Sequence, residues 1–306
     1  MTTLLTDLQD LKRIAPAGVR YSLADELFVA AWRGVLAGRD WAEVADETTV
    51  RAIVYVLLPG VDTTFFRAAE LSAAVATGTI VKAFDQVTGG RLSHVTRQRL
   101  RLALPGVLGT LVDPEKDRPD VHCEPPACIE RLRQQPRAGA THPDFPRLVL
   151  LPAESHADHC LLTAVYACLY AAEYAADPGL AFVCALAHHL HNAYLPDCGW
   201  AGELALEPHL DHIIATCRRT ALKDFPPHLR PRLLAALKHH ETIATPAGKA
   251  VSSGDVLDRV LDVKWRTRAA AVTDQDVLGD LDLVHPGPLK DFQTELLNAT
   301  GLWITA

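Results

Sequence analysis

The segment ALAHHLHNAY, residues 185–194, places three histidines within four positions of an otherwise apolar stretch. They are His188, His189 and His191. A neutral imidazole has one donor nitrogen and one acceptor nitrogen, and both need partners when the ring is buried. A metal ion is one such partner for the acceptor nitrogen. The segment is therefore a candidate metal-binding sequence.

Ten of the 14 histidines lie between residues 156 and 240, and all of them except His228 are placed at the start or end of a predicted helix. They are His156, His159, His188, His189, His191, His209, His212, His228, His239 and His240. An antiparallel helix bundle can bring such ends to one level, where facing side chains build a metal site. Some of them have another explanation. His156 and His209 could be surface residues at helix starts, and the helix dipole favours a protonated ring at the C-terminal position of His239 or His240.

Alanine and leucine recur at spacings of three and four through most of the chain, which predicts a mainly α-helical fold. Serine, threonine, aspartate or proline precedes many of the predicted helices. The predicted helices are Leu23–Leu36, Thr49–Leu58, Phe65–Thr77, His159–Ala175, Gly179–His191, Leu210–Thr220, Pro231–His240 and Ser253–Ala271.

A proline-rich and charged segment divides the chain. Residues 112–150 are interpreted as an irregular linker with a short helical fragment at Ile129–Gln134. The linker separates an N-terminal helical region, residues 1–111, from a histidine-rich part, residues 151–306. Two cysteines in the linker, Cys123 and Cys128, have no second pair nearby, and we do not interpret them as a zinc site.

The composition limits the partners. A formal net charge of −7 disfavours a main role in binding nucleic acid or an anionic membrane, so a small-molecule substrate is favoured. Seven cysteines, an odd number in largely apolar surroundings, are typical of reduced thiols in the cytoplasm. No signal peptide and no apolar run of membrane-spanning length are found. Homodimer formation is left open.

Five short motifs place histidine or aspartate in a fixed order along residues 150–270. They are ADHCLLTAVYA with His159, CALAHHLHN with His188, LDHIIA with His212, LKHHET with His239 and His240, and SSGDVLDRVLD with Asp255 and, as its rival, Asp258. This order resembles the HD-domain superfamily of helical metalloproteins, named for an adjacent His-Asp pair. The resemblance implies an all-α, HD-domain-like helical bundle, here with an additional N-terminal helical region.

The resemblance also implies a site for one or two divalent ions of iron, manganese or zinc. The expected ligands are His159, His188, His189, His212, His239, His240 and Asp255. One position departs from the family pattern, because His189 stands where the pair has its aspartate. A carboxylate can bridge two ions, whereas a neutral imidazole offers one lone pair. His189 could bind one ion or point elsewhere, with the centre rebuilt from Asp197, Glu203 or Asp211, and a metal-free binding fold is also allowed.

Three functions follow from this interpretation. The first is a metal-dependent phosphohydrolase acting on a small phosphoester or nucleotide. Cationic side chains near the site would hold the phosphate, the candidates being Arg218, Arg219, Lys238 and Arg259. The second is an HD-type non-haem iron oxygenase, which suits intervals of 29, 24, 27 and 16 residues along the ligand series from His159 to Asp255. The third is a catalytically degenerate HD-like regulatory or binding module.

Overall fold

A computed structural model of the chain describes residues 1–112, 124–149, 151–267 and 273–303. Within these ranges the chain is built from α-helices and a single two-stranded sheet, so the predicted all-α class is confirmed. The helices are α1 (Thr2–Leu8), α2 (Leu23–Leu36), α3 (Trp41–Leu57), α4 (Thr63–Ala68), α5 (Ala73–Thr88), α6 (His94–Val112), α7 (Ala127–Gln134), α8 (His156–Tyr170), α9 (Pro178–Ala187), α10 (Gly199–Leu206), α11 (Leu210–Leu222), α12 (Arg230–Leu237), α13 (Pro246–Thr267) and α14 (Lys290–Thr300). Short 3-10 turns occupy Gln9–Lys12, Ala171–Tyr174 and Leu190–Ala193, and a π-helical turn occupies Gln275–Asp280.

Polar side chains fix where several helices begin. Ser22 accepts a hydrogen bond from the Asp25 amide at the start of α2. Ser155 and Asp158 form a reciprocal capping box at the start of α8. Each of these side chains satisfies an amide that has no partner within its helix, which is why the helices start at these residues.

The predicted helix over Phe65–Thr77 is wrong in its extent, because the chain breaks it into α4 and α5. Glu70 adopts a left-handed conformation with φ of 54°, which a continuous helix does not allow. Ser72 then caps α5 by accepting from the Val75 amide. The turn at Glu70 therefore ends the helix, although the spacing of apolar residues continues without interruption.

Several other predicted helices differ at their ends. The helix predicted over Thr49–Leu58 starts eight residues earlier, at Trp41, and the one predicted over His159–Ala175 ends at Tyr170. The helix predicted over Gly179–His191 stops at Ala187, and the chain continues through the 3-10 turn Leu190–Ala193. Helix α13 starts seven residues before the predicted Ser253, at Pro246. Its predicted last residue, Ala271, lies outside the described residues, as does Cys123 of the linker.

The segment predicted as an irregular linker contains ordered elements. Helix α7 covers the predicted fragment, and strands β1 (Ala140–His142) and β2 (Phe145–Leu148) form an antiparallel hairpin with Ala140 opposite Leu148. An isolated antiparallel β-bridge joins Pro136, before β1, to Ser155, the residue that caps α8.

Helix α8 lies at the centre of the molecule. Every residue from His156 to Tyr170 is buried, and α13, α9, α2 and α3 pack around it. One apolar core extends from Leu4 and Trp32 in the N-terminal region to α8, α9 and α13. The N-terminal helices therefore pack directly against the histidine-rich part, because an apolar face needs a partner surface.

Among the helices of the described ranges, none combines the length and apolar character needed to cross a membrane.

Candidate metal centre

Three helices converge on the histidine cluster. The first turn of α8 presents His159, the end of α9 is followed by His188 and His189, and α13 contributes Asp255. Helices α8 and α13 approach closely at Gly254, where a Cβ atom would lie 2.5 Å from the Thr163 carbonyl oxygen. Because Gly254 has no side chain, α13 can lie this close to α8, the helix that carries His159.

Three ligand-type atoms face one another at the centre of this cluster. His159 Nε2 lies 3.3 Å from His188 Nε2 and 3.3 Å from Asp255 Oδ1, and His188 Nε2 lies 4.0 Å from Asp255 Oδ1. Atoms bound at about 2.1 Å to one metal ion are about 3.0 to 3.4 Å apart in octahedral or tetrahedral coordination. The triangle is therefore close to the size that one ion requires.

Hydrogen bonds behind the rings fix which nitrogen of each faces the centre. His159 Nδ1 donates to Asp258 Oδ2 over 2.6 Å, and His188 Nδ1 donates to the carbonyl oxygen of Ala185. With both Nδ1 atoms acting as donors, neutral rings present two acceptor nitrogens to each other and to a carboxylate oxygen. The space between them requires a cation, either a proton on His159 or a metal ion.

The electrostatics of the cluster favour a neutral imidazole beside a charged carboxylate. Burial lowers the pKa of His188 well below its ordinary value, and the rings of His159 and His240 act in the same direction. Burial alone would raise the pKa of Asp255, but Arg259 and the hydrogen bond from His159 outweigh it and hold that pKa well below its usual range. Both are the protonation states that a metal ion needs.

The two candidate closing aspartates have different positions. Asp255 faces the Nε2 atoms, whereas Asp258 is fully buried on the far side of the His159 ring and bonds Nδ1. A carboxylate that accepts from the second nitrogen of a ligating histidine fixes its tautomer and raises its basicity. The geometry thus favours Asp255 as a ligand and Asp258 as the residue that orients His159.

His189 forms its own hydrogen bonds. Its Nδ1 donates to Asn192 Oδ1 over 2.7 Å, and its Nε2 accepts from Arg137 Nη1 over 2.8 Å. The ligand atoms of His159, His188 and His189 nevertheless lie within 4.8 Å of one another. His189 is therefore within reach of an ion and would exchange its bond with Arg137 to bind it.

The remaining predicted ligands are only partly brought together. The ring of His240 packs against His188 with 5.1 Å between centroids. His239 points to Thr245 Oγ1, 2.9 Å away, and His212 is exposed on α11. Among the described residues, two groups of side chains have ligand atoms within 4.8 Å of one another, and neither group contains His212, His239 or His240. Their assignment as ligands stays a prediction.

The structure also brings in residues that the motifs did not indicate. Arg137, from the predicted linker, contacts His189, and Glu154 lies beside His159. Lys12 and Gln9, from the N-terminal region, both bond Asp258. No spacing pattern in the sequence connects these residues to the histidines, because each pairing depends on how distant helices pack.

A small pocket adjoins the cluster and is rich in arginine. Arg137, Arg259 and Arg266 line it together with Glu154 and Asp262. The guanidinium of Arg266 is paired with Asp262. Arg259 Nη1 donates to the Leu283 carbonyl oxygen over 3.3 Å, and its Nη2 lies 3.4 Å from Asp255 Oδ2. Its buried Nε has no hydrogen-bond partner among the described residues.

The other residues predicted to hold a phosphate do not line this pocket; two of them bond other side chains and one is exposed. Arg218 pairs with Glu241 at 2.8 Å, Arg219 bonds Thr216 on its own helix, and Lys238 is exposed. Of the four predicted phosphate-holding residues, Arg259 alone lines the pocket beside the cluster.

Comparisons of the chain with family models, with curated proteins and with solved structures find no match. The class of protein that the fold and the cluster define is therefore a helical protein with a group of His, Glu and Asp side chains that could hold a metal ion.

Proposed function

We propose that this protein is a metal-dependent phosphohydrolase that acts on a small phosphoester or nucleotide. The observation that carries the proposal is the convergence of His159 Nε2, His188 Nε2 and Asp255 Oδ1 within 4.0 Å, beside a pocket lined by arginine. A metal ion held by these three atoms would polarise a phosphoryl oxygen and lower the pKa of a water molecule toward neutrality.

The protein's own residues would position the substrate. Arg259 lines the pocket, and its guanidinium group would donate to phosphate oxygens. Arg137 lines the same pocket and bonds His189. The Asp255 side chain is 18% exposed and His189 is half-buried, so the cluster has a solvent-facing side.

Elemental analysis and a phosphatase assay test this proposal together. Protein purified without chelator should contain iron, manganese or zinc, and it should hydrolyse p-nitrophenyl phosphate or a nucleoside monophosphate after loading with one of these metals. Arg259→Gln should reduce turnover much more than it reduces metal content, because Arg259 would hold the substrate phosphate and is not itself a metal ligand, although it also contacts the Asp255 carboxylate. Metal-loaded protein that hydrolyses no member of a broad phosphoester panel would contradict the proposal.

A second candidate is a non-haem iron oxygenase. Two histidines and one carboxylate around open positions are the ligand set that such enzymes use, and His159, His188 and Asp255 supply it. Oxygen uptake by protein loaded with ferrous iron would favour this function over hydrolysis. A protein that binds no metal under any of these conditions would instead favour the degenerate binding module.

A further inference from the structure

A second group of ligand-type side chains lies directly behind the metal candidate. The ligand atoms of Glu154, His159 and Asp258 all lie within 4.8 Å of one another, and all three residues are shielded from solvent. Two buried carboxylates this close repel each other, so the group needs a cation.

The ammonium group of Lys12 supplies that cation. Lys12 Nζ lies 2.7 Å from Glu154 Oε2 and 2.8 Å from the Asp258 carboxylate, with Asp262 Oδ1 3.8 Å away. The Lys12 side chain is 1% exposed. Although burial by itself lowers the pKa of a lysine, the three carboxylates more than reverse this effect, so Lys12 is charged.

The N-terminal region holds the ammonium in place. Gln9, in the same 3-10 turn as Lys12, donates to Asp258 Oδ1 over 2.8 Å and to the Tyr166 hydroxyl over 3.0 Å. Tyr166 in turn donates to the Leu5 carbonyl oxygen over 2.7 Å. These bonds tie the 3-10 turn that carries Lys12 to α1, α8 and α13, so the packing of these elements sets the position of Lys12.

We propose that Lys12 is a built-in cation that occupies a second cation position of the centre, between Glu154 and Asp258, and excludes a metal ion from it. This inference rests on the proposed metal site only in that His159 borders both groups. Lys12 keeps Asp258 ionised and fixed, and Asp258 orients His159 toward His188 and Asp255. Lys12 is thus a positioning residue for the metal centre.

The test is to remove the ammonium and count bound ions. Lys12→Met keeps an unbranched side chain, one atom shorter than that of lysine, but leaves Glu154 and Asp258 without their shared cation. Manganese is the probe, because carboxylates suit it well. At saturating Mn²⁺ the variant should bind one ion per chain more than the wild type. Its melting temperature should also rise with Mn²⁺ concentration more steeply than that of the wild type, as expected for a site present only in the folded state.

Two further variants serve as controls. Lys12→Met combined with Glu154→Gln should lose the additional ion, because one of the two carboxylate ligands is gone. Arg13→Met removes a neighbouring cation that pairs with Asp262, and it should leave the ion count at the wild-type value. If Lys12→Met is unfolded without metal, millimolar Mn²⁺ should restore its helical circular dichroism.

An ion count in Lys12→Met equal to that of the wild type would overturn the inference about Lys12, as would an unfolded variant that Mn²⁺ does not restore. A wild-type protein that binds no ion, together with a variant that binds one, would overturn the proposed metal site and with it the positioning role of Lys12, but would leave standing the inference that Lys12 excludes an ion from the position between Glu154 and Asp258. The two failures are therefore distinguishable.

Discussion

His156 offers a quantitative test of how deeply the histidine cluster is buried. Its side chain is fully buried in the first turn of α8, with Nδ1 3.3 Å from the Gln135 carbonyl oxygen and Nε2 3.6 Å from Asp197 Oδ2. Burial lowers the pKa of His156 from 6.5 to about 3, and Arg137 acts in the same direction. We therefore predict that His156 makes the folded protein sensitive to mild acid.

The magnitude follows from the two pKa values. Below pH 6.5 the unfolded chain binds a proton at His156, whereas the folded protein does not until the pH approaches about 3. Between these values each pH unit removes about 1.4 kcal/mol from the free energy of unfolding. At pH 5 the loss due to His156 is about 2 kcal/mol, a large fraction of the stability of an ordinary domain.

The variant His156→Gln keeps a polar side chain but cannot titrate. Urea unfolding followed by circular dichroism, in EDTA so that metal release does not contribute, would give the free energy of unfolding at neutral pH and near pH 5. The acid-induced loss should be smaller by about 2 kcal/mol in His156→Gln than in the wild type. The exposed His228, changed to Gln, is the matched control and should behave as the wild type does. Equal losses in His156→Gln and the wild type would refute the reasoning.

Three further changes test the centre itself. His188→Ala should abolish metal content, measured by elemental analysis, while circular dichroism shows the helical content retained; full metal occupancy would contradict the ligand assignment. His189→Asp adds an oxygen donor next to His188 and should raise the number of bound ions per chain, so an unchanged count would argue against a metal-facing position 189. Gly254→Ala places a methyl group against the backbone of α8; it should cost about 1 to 3 kcal/mol in urea unfolding and weaken metal binding by moving Asp255 away from His159. Wild-type stability and affinity in this variant would show that the helices adjust freely.

Much of the helical framework could be predicted from the sequence. The helix Leu23–Leu36 was predicted with its observed bounds, and His159 and His188 were placed correctly at a helix start and a helix end. This succeeded because apolar periodicity and capping are local properties of a few neighbouring residues. The break at Glu70 was not predicted, because a single residue in the left-handed conformation does not change the spacing of the apolar residues around it.

The candidate site could be predicted only in part. The motifs indicated His159, His188 and Asp255, whose atoms the fold brings together. They could not distinguish Asp255 from Asp258, because three residues along a helix turn two side chains to nearly the same face. The packing of α13 on α8 decides which of them meets Nε2 and which meets Nδ1.

By itself, then, the sequence determined the all-α class and a concentration of histidines at helix ends, because both follow from short-range sequence patterns. Only the tertiary structure decided which residues contact those histidines and their carboxylate partners. Lys12 meets Asp258 across 246 residues, and Arg137 meets His189 across 52. The spacing of residues along the chain does not predict such pairs, because they form only when a shared apolar core brings distant helices into contact. The charges that this packing buries must then be neutralised by a neighbouring group of opposite charge.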